Sequence, residues 1–275
     1  MSQIVCVTNR LICNGDFLDR IEEIARLKPK AMILREKDLS EEQYKVLAEN
    51  VLEICHRYDT KCILHSFVNV SRALHCKAIH LPTSGLLSLS EEERKYFTTL
   101  GASCHSMEEA VKAEARVLFK DTDSFTVAYS SQQYESLFPV LEELGIGFVA
   151  FSPMANGFLT GKYGKGQHFD SANDYRASMP QFTDEAVSQN QALLKLLQDL
   201  AEAKDAAPAQ ISLAWMLGKK PWIVPIPGSR KPERMQENFG AASISLTPEE
   251  IRSIDEALDK VGMSAVFGGS AIKKQ

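Results

Sequence analysis

The sequence has no apolar run that approaches the ~20 residues of a membrane-spanning helix, and it has no surplus of basic residues. Its 31 Lys and Arg residues are outnumbered by 36 Asp and Glu, which gives a net charge of −5 and excludes a general positive field for nucleic acid. The first residues, MSQIVCVTNRL, lack the charged leader of a signal peptide. We therefore expect a cytoplasmic protein with no membrane or nucleic-acid partner.

Cysteine is absent after residue 104, and tryptophan is absent before residue 215. The six cysteines also lack the CxxC spacing typical of zinc sites, so we predict no metal site and expect most of them to be buried thiols. The change in composition indicates that the chain changes ancestry near residues 116–128.

Short apolar runs alternate with longer segments whose apolar residues recur every three or four positions, which is typical of strands followed by helices. Ser40 begins a capping box and Ser90 is a helix cap, and each predicts a helix start. The length of 275 residues suits a single α/β domain, a (β/α)8 TIM barrel over residues 1–275. The predicted strands are residues 4–7, 31–34, 62–64, 78–81, 101–104, 125–129, 147–151 and 222–225.

The first part of the chain carries VTNR, ILREKDLSEEQY, ILHSFVNV, AIHLP and GASCHSMEEAVKAEA. Over residues 1–115 it resembles the thiamine-phosphate synthase/TenI family of barrels. That resemblance implies that Arg35 and Lys37, in ILREK, are phosphate-binding candidates. Ile33 stands where the family has Gln, and the family's Mg²⁺ carboxylates after strands 3 and 4 are replaced by HS and PT, so we expect no Mg²⁺ site. The histidine of TenI-like members is missing from LFKDTD.

The second part carries VLEELGIGFVAFSPMANGFLTGKYG, NDYRASMPQFT and PWIVPIPGSRKPERMQENFGAA. Over residues 125–260 it resembles the C-terminal part of the aldo-keto reductase family, which implies NADP(H) as cofactor. The arginines of the motif after strand 8 suit a 2′-phosphate, and a helix start there offers free N–H donors. The implied cofactor-binding residues are Phe151, Ser152, Met154, Asn156, Gly157, Gly228, Ser229, Arg230, Arg234, Gln236, Glu237 and Asn238.

The reductase family also needs a Tyr proton donor with Lys, Asp and His partners from the early strands. Here those strand ends read TNR, REKD, HSF and HLP, with no recognisable set of these residues. We assign no catalytic residue. Three histidines, His65, His80 and His105, lie at strand ends with Arg35 and Lys37. Together with Arg230 and Arg234 these residues could form a cationic mouth for phosphates, or they are remnants of the first family. The histidines could also mimic a metal site.

These resemblances predict a hybrid of two half-barrel-like fragments, which indicates recombination, natural or engineered. Residues 1–115 would supply βα units 1–5, and residues 116–275 units 6–8 with a C-terminal helix. RVLF would end helix 5 rather than form a ninth strand. Strand 8 would pair with strand 1, which makes Val5 and Val224 neighbours.

Three functions stay open at this point. The first is an NADP(H)-binding, aldo-keto reductase-like protein with little or no turnover, whose partner is a small-molecule nucleotide cofactor; any activity would be that of an NADP-dependent oxidoreductase. The second is a non-catalytic barrel scaffold. The third is residual thiamine-phosphate synthase/TenI-like activity. The motif after strand 8 favours the first.

Overall fold

The computed structural model describes residues 4–103, 124–128, 135, 138–143, 147–172, 174–229 and 231–260. Eight parallel strands form one sheet in the order of the sequence. A parallel partner at every step requires connections that cross back over the sheet, as in alternating β and α units. The strands are Val5–Val7 (β1), Ala31–Leu34 (β2), Cys62–His65 (β3), Ala78–Pro82 (β4), Thr99–Ser103 (β5), Ser124–Ala128 (β6), Gly147–Phe151 (β7) and Ile223–Ile226 (β8).

Helices follow most of the strands and cover the outside of the sheet. Ser40 and Gln43 form a reciprocal capping box before the second helix, and Ser90 and Glu93 form another before the fifth, which confirms both predicted helix starts. None of the described helices is both long and apolar enough to cross a bilayer. The helices are Phe17–Arg26 (α1), Glu41–Arg57 (α2), Val68–Ala73 (α3), Thr83–Ser88 (α4), Glu91–Tyr96 (α5), Phe138–Glu143 (α6), Asp184–Gln189 (α7), Gln191–Ala203 (α8), Pro208–Lys219 (α9), Pro232–Gly240 (α10) and Pro248–Lys260 (α11).

The two faces of the sheet bury different sets of side chains. Val5, Ala31, Ile33 and Val224 form one buried cluster. The intervening residues of β2 pack with residues of α1 and α2 in a separate core, as the alternation of side chains along a strand requires. Because β1 and β8 lie at opposite ends of the sheet order, the contact between Val5 and Val224 shows that the sheet is rolled up.

The ladders among the described strands do not include one between β1 and β8. Val5 and Val224 belong to the same buried cluster, and Cα atoms of β1 and β8 approach within 8 Å. The ladders, however, join β1 only to β2 and β8 only to β7. The predicted pairing of strand 8 with strand 1 is therefore wrong for these residues. Val5 of β1 and Val224 of β8 lie in one buried cluster at this junction.

Some predicted elements differ from those observed. The helix predicted over residues 185–203 is interrupted at Asn190, whose buried side-chain amide donates to the carbonyl of Ala186 at 2.7 Å and competes with the helical pattern. The helix α4 has no counterpart among the predicted elements. Strand 8 begins one residue later than predicted. Predicted helix 5, RVLF, His105 and the C-terminal tail lie outside the described residues.

Candidate functional site

Two histidines lie side by side at the carboxyl end of β3 and β4. His65 and His80 are register partners in the ladder, and their rings stack with centroids 5.6 Å apart. His80 Nε2 lies 2.9 Å from Ser103 Oγ, and His65 Nδ1 lies 2.7 Å from Ser66 Oγ. Both side chains are buried, with 3% and 4% exposure. The sequence placed these residues at one edge of the sheet, and the structure brings them into contact.

The burial of this pair determines its charge. Burial lowers the pKa of His65 to about 3, with a further contribution from the neighbouring His80. Burial likewise lowers the pKa of His80 to about 4, assisted by the positive charges of Lys37 and Arg35. Both imidazoles are therefore neutral at pH 7. The hypothesis of a cationic mouth is wrong for these two residues, which act as hydrogen-bonding groups instead.

The phosphate-binding candidates Arg35 and Lys37 are exposed just beyond β2. Burial and the adjacent Arg35 lower the pKa of Lys37. Between them, Glu36 turns inward and is 2% exposed. Its carboxylate accepts the hydroxyl of Thr8 at 2.6 Å and the backbone N–H of Arg10 at 3.0 Å. Glu36 thus holds the turn after β1 in place, a role that the sequence analysis did not assign to it.

The segment after β7 makes a tight left-handed turn. Positive φ angles occur at Ser152, Ala155, Asn156 and Gly157. Ser152 Oγ lies 3.4 Å from Asn156 Oδ1, and the N–H of Gly157 donates to the carbonyl of Met154 at 2.9 Å. The segment therefore has a defined shape held by its own backbone, which is what a loop that positions a ligand requires.

An arginine that sequence reasoning did not single out supports this turn. Arg176 donates to the carboxylate of Asp174 and, at 2.7 Å, to the hydroxyl of Tyr163. Its guanidinium also lies 4.4 Å from the ring centroid of Phe169. These contacts with Asp174 raise the pKa of Arg176. A Cβ at Gly157 would lie 3.1 Å from the Tyr163 ring, so the arginine cluster packs directly against the turn. Arg176 and Asp174 both lie in the family motif NDYRASMPQF, so the motif could have identified this pair from the sequence.

The segment after β8 lies beside the turn after β7, because Phe151 and Ile226 are paired at the ends of their strands. Ser229 Oγ accepts the N–H of Lys231 at 3.2 Å just before α10 begins. Arg234 is exposed and makes no hydrogen bond or ion pair with any residue that the structure describes.

The other predicted residues of this motif differ in their exposure. Gln236 is exposed and Glu237 is half-buried, with its carbonyl accepting the Gln210 side-chain amide at 2.9 Å. Asn238 is buried. No Cβ at Gly228 would meet a described atom within 4 Å, so the chain there is open to a ligand. Arg230 lies outside the described residues.

The residues described include no group of three or more His, Cys, Asp or Glu side chains that could hold a metal ion. The open Gly228, the Ser229 hydroxyl and the exposed Arg234 lie in or just before the first turn of α10, and a helix start with a cation can bind a phosphate group.

Comparison with known families gives one family match for the part of the chain with the histidine pair and another for the part with Arg234. Residues 98–259 match the aldo/keto reductase family, and residues 4–153 match thiamine monophosphate synthase. The chain belongs to both families. The two matches overlap over residues 98–153, so each extends further than the sequence motifs alone predicted. The histidine pair and Arg35 lie in the thiamine monophosphate synthase match, and Arg234 lies in the aldo/keto reductase match.

Three curated relatives are aldo-keto reductases. Aldo-keto reductase str7 of Strobilurus tenacellus is 37% identical over 43% of this chain and 35% of its own length. Probable aldo-keto reductase 1 of Glycine max is 36% identical over 49% of this chain and 38% of its own. Aldo-keto reductase yakc [NADP(+)] of Schizosaccharomyces pombe is 35% identical over 42% and 34%. The chain thus spans little more than a third of these relatives.

Solved aldo-keto reductase structures share the fold over nearly the whole chain. The glycerol dehydrogenase AKR11B4 from Gluconobacter oxydans superposes with a TM-score of 0.66 at 17% identity, covering 95% of this chain and 93% of its own. The thermostable aldo-keto reductase Tm1743 gives 0.65 at 15% identity, covering 94% and 95%. At this identity the likeness concerns the fold alone, and it extends to the part of the chain that matches thiamine monophosphate synthase.

Proposed function

We propose that this chain is a hybrid (β/α)8 barrel that binds NADP(H) through the segments after β7 and β8 and has little or no carbonyl-reductase turnover. Residues 1–115 would supply the first five βα units and residues 116–275 the last three. A cytoplasmic location with a small-molecule nucleotide as partner belongs to the same proposal. The five described cysteines are free thiols, which suits a reducing compartment.

One observation carries the proposal. Arg234 is an exposed cation in the first turn of α10, without a hydrogen-bond or ion-pair partner among the described residues, and the open Gly228 lies in the segment that precedes α10. Arg234 would pair with the 2′-phosphate, and Ser229 and the N–H groups at the start of α10 would contact phosphate oxygens. The adenine would lie near Gln236, Glu237 and Asn238. The remainder of the cofactor would face the segment after β7, at Phe151, Ser152, Met154, Asn156 and Gly157.

The expected lack of turnover follows from the residues at the other strand ends. When bound, the cofactor supplies a hydride, but the carbonyl oxygen then needs a proton donor. His65 and His80 are buried neutral imidazoles hydrogen-bonded to serines, and Glu36 is engaged by Thr8 and Arg10. A positioned acid contributes roughly 10²–10⁴-fold to such reactions. We therefore expect binding without efficient reduction.

A fluorescence titration with NADPH and NADH tests the cofactor assignment. Since a hydrogen bond to a charged group contributes about 1.5–3 kcal/mol, Arg234→Ala should weaken NADPH binding about tenfold or more and leave NADH nearly unchanged. Arg57→Ala is the matched control, because this exposed arginine ends α2 at the opposite end of the sheet. Equal affinity for both nucleotides, or full NADPH affinity in Arg234→Ala, would contradict the assignment.

The same titration tests the alternative of a non-catalytic scaffold. A barrel that folds but binds neither nucleotide would be such a scaffold. Mg²⁺-dependent formation of thiamine phosphate from its two phosphorylated precursors, lost in Arg35→Ala, would indicate a residual synthase. We expect neither result, because no carboxylate ligands follow β3 and β4 in the segments Ser66–Phe67 and Thr83–Ser84.

A further inference from the structure

A cavity of about 130 Å³ lies between α1 and α10, beside the junction of β1 and β8. Apolar side chains line most of it. They come from both sides of the junction: Cys6, Phe17, Ile21 and Ile24 on one side, and Met235 and Phe239 on the other. Apolar cavities of about this size, ~150 Å³, accept a benzene ring in other proteins. The cavity therefore has the volume and lining for one small ring.

A guanidinium group is the one charged group that the described residues place on the cavity wall. Arg20 lines it, and its Nη1 atom is buried with no hydrogen-bond partner among the described residues. The other nitrogens are only weakly engaged: Nε lies 3.3 Å from Glu23 Oε2, and Nη2 lies 3.5 Å from the carbonyl of Asn14. Burial raises the pKa of the Cys6 thiol to about 12, so it stays neutral and offers Arg20 no negative charge. A buried donor without a partner is costly, and an acceptor from a ligand would remove that cost.

The rim of the cavity is apolar as well. Val7 and Ile12 line it and are 37% and 49% exposed, and the adjacent Leu11 is 67% exposed. These are three of the four large hydrophobic side chains that the described residues leave exposed. A cluster of exposed apolar side chains at the mouth of an apolar cavity is typical of a binding site. We therefore expect the part of a ligand that contacts this rim to be uncharged.

We propose that this cavity binds a small aromatic carboxylate, whose ring lies between α1 and α10 and whose carboxylate accepts a hydrogen bond from Arg20 Nη1. The ring matches the volume and lining, and the carboxylate matches the buried unpaired donor. Gly228, Ser229 and Asn238 also border this cavity, so it adjoins the segment to which the proposed cofactor site is assigned. The two proposed sites therefore share these three residues, whereas Arg234 lines only the proposed cofactor site, so a substitution of Arg234 tells the two apart.

Fluorine NMR of 4-fluorobenzoate with the full chain tests this site. We expect saturable line broadening of 4-fluorobenzoate and at least tenfold weaker binding of the neutral 4-fluorobenzamide. Arg20→Met keeps the apolar stem and removes the charge, so it should weaken 4-fluorobenzoate binding about tenfold and leave the amide unchanged. Arg26→Met is the matched control on the same helix, because Arg26 is exposed and pairs with Glu22 outside the cavity; it should bind as the unmodified chain does.

Two further variants locate the ring. Cys6→Leu and Met235→Phe fill the cavity from opposite walls, and either one that keeps a native circular dichroism spectrum should abolish binding of both probes. Arg234→Ala should leave 4-fluorobenzoate binding intact whether or not it affects NADPH, which separates this site from the cofactor site. Equal binding of the acid and the amide, unchanged binding in Arg20→Met, or no saturable binding to the unmodified chain would overturn the proposal.

Discussion

The ring of His80 occupies the space that a side chain at position 101 would need. A Cβ built on Gly101 would lie 2.4 Å from His80 Nδ1, closer than real contacts allow. The two residues are register partners on β4 and β5. Gly101 is therefore required for the buried stacking of His80 on His65, and a glycine in a strand here marks a close approach of a side chain.

Gly101→Ala should destabilise the protein by about 1–3 kcal/mol, because the methyl group displaces the buried imidazole. Urea denaturation measures the change. His80→Ala in the Gly101→Ala background should recover part of the loss, since it removes the clashing ring. Gly85→Ala is the control: its Cβ would make ordinary contacts of 3.5 Å and longer within α4, and there it should be neutral or stabilising by up to about 1 kcal/mol. Equal effects at the two glycines would show that the histidine does not fill this space.

Stability should fall on acidification because of the two buried histidines. Their folded-state pKa values, about 3 and about 4, lie below the ordinary value of 6.5, so the unfolded chain binds more protons below pH 6.5. Their contribution is complete above pH 6.5 and is lost as pH falls towards 4. Between pH 6.5 and 5 the loss should be about 1–2 kcal/mol for each histidine.

Urea denaturation at several pH values measures this dependence. His80→Gln should reduce the slope of stability against pH between pH 6 and pH 4.5 relative to the unmodified chain. The same substitution at the exposed His56 is the control. An unaltered slope in His80→Gln would mean that the ring is charged in the folded state or is not buried.

Arg176→Lys should loosen the segment after β7. Lysine cannot form the paired hydrogen bonds with Asp174 or lie flat against Phe169 as the guanidinium does. We expect faster tryptic cleavage within residues 160–180, a lower Tm, and NADPH binding weakened several-fold if the turn at Gly157 contacts the cofactor. Lys195→Arg on the exposed side of α8 is the control. Cleavage at the rate of the unmodified chain would show that the arginine cluster does not hold this segment.

Carbonyl reduction should be negligible even with saturating NADPH. The strand ends offer neutral buried histidines and an engaged Glu36 rather than a free acid. NADPH consumption with an aromatic aldehyde measures turnover. Steady consumption that Arg234→Ala abolishes and Arg57→Ala does not would mean that another side chain of the protein donates the proton.

The strand assignments made from the sequence rest on local information, and most agree with the structure. Apolar runs bounded by Gly, Pro and charged residues identify β2 and β7 at their observed limits. The helix caps at Ser40 and Ser90 are identified for the same reason, since a cap depends on residues three positions apart. Family motifs locate the segments after β7 and β8. The assignment of individual cofactor-binding residues in them stays a prediction.

Other features depend on residues far apart in the chain, and only the tertiary structure decided them. The neutrality of His65 and His80 follows from their burial against each other, and Glu36 is held by Thr8 and Arg10 from another strand and its loop. The cavity beside Arg20 is lined by residues from both ends of the chain, since Cys6 and Ile21 meet Met235 and Phe239 there. Local patterns fix which residues form strands and helices, whereas burial, charge and empty space are set by what packs across the sheet, and no short stretch of sequence contains that information.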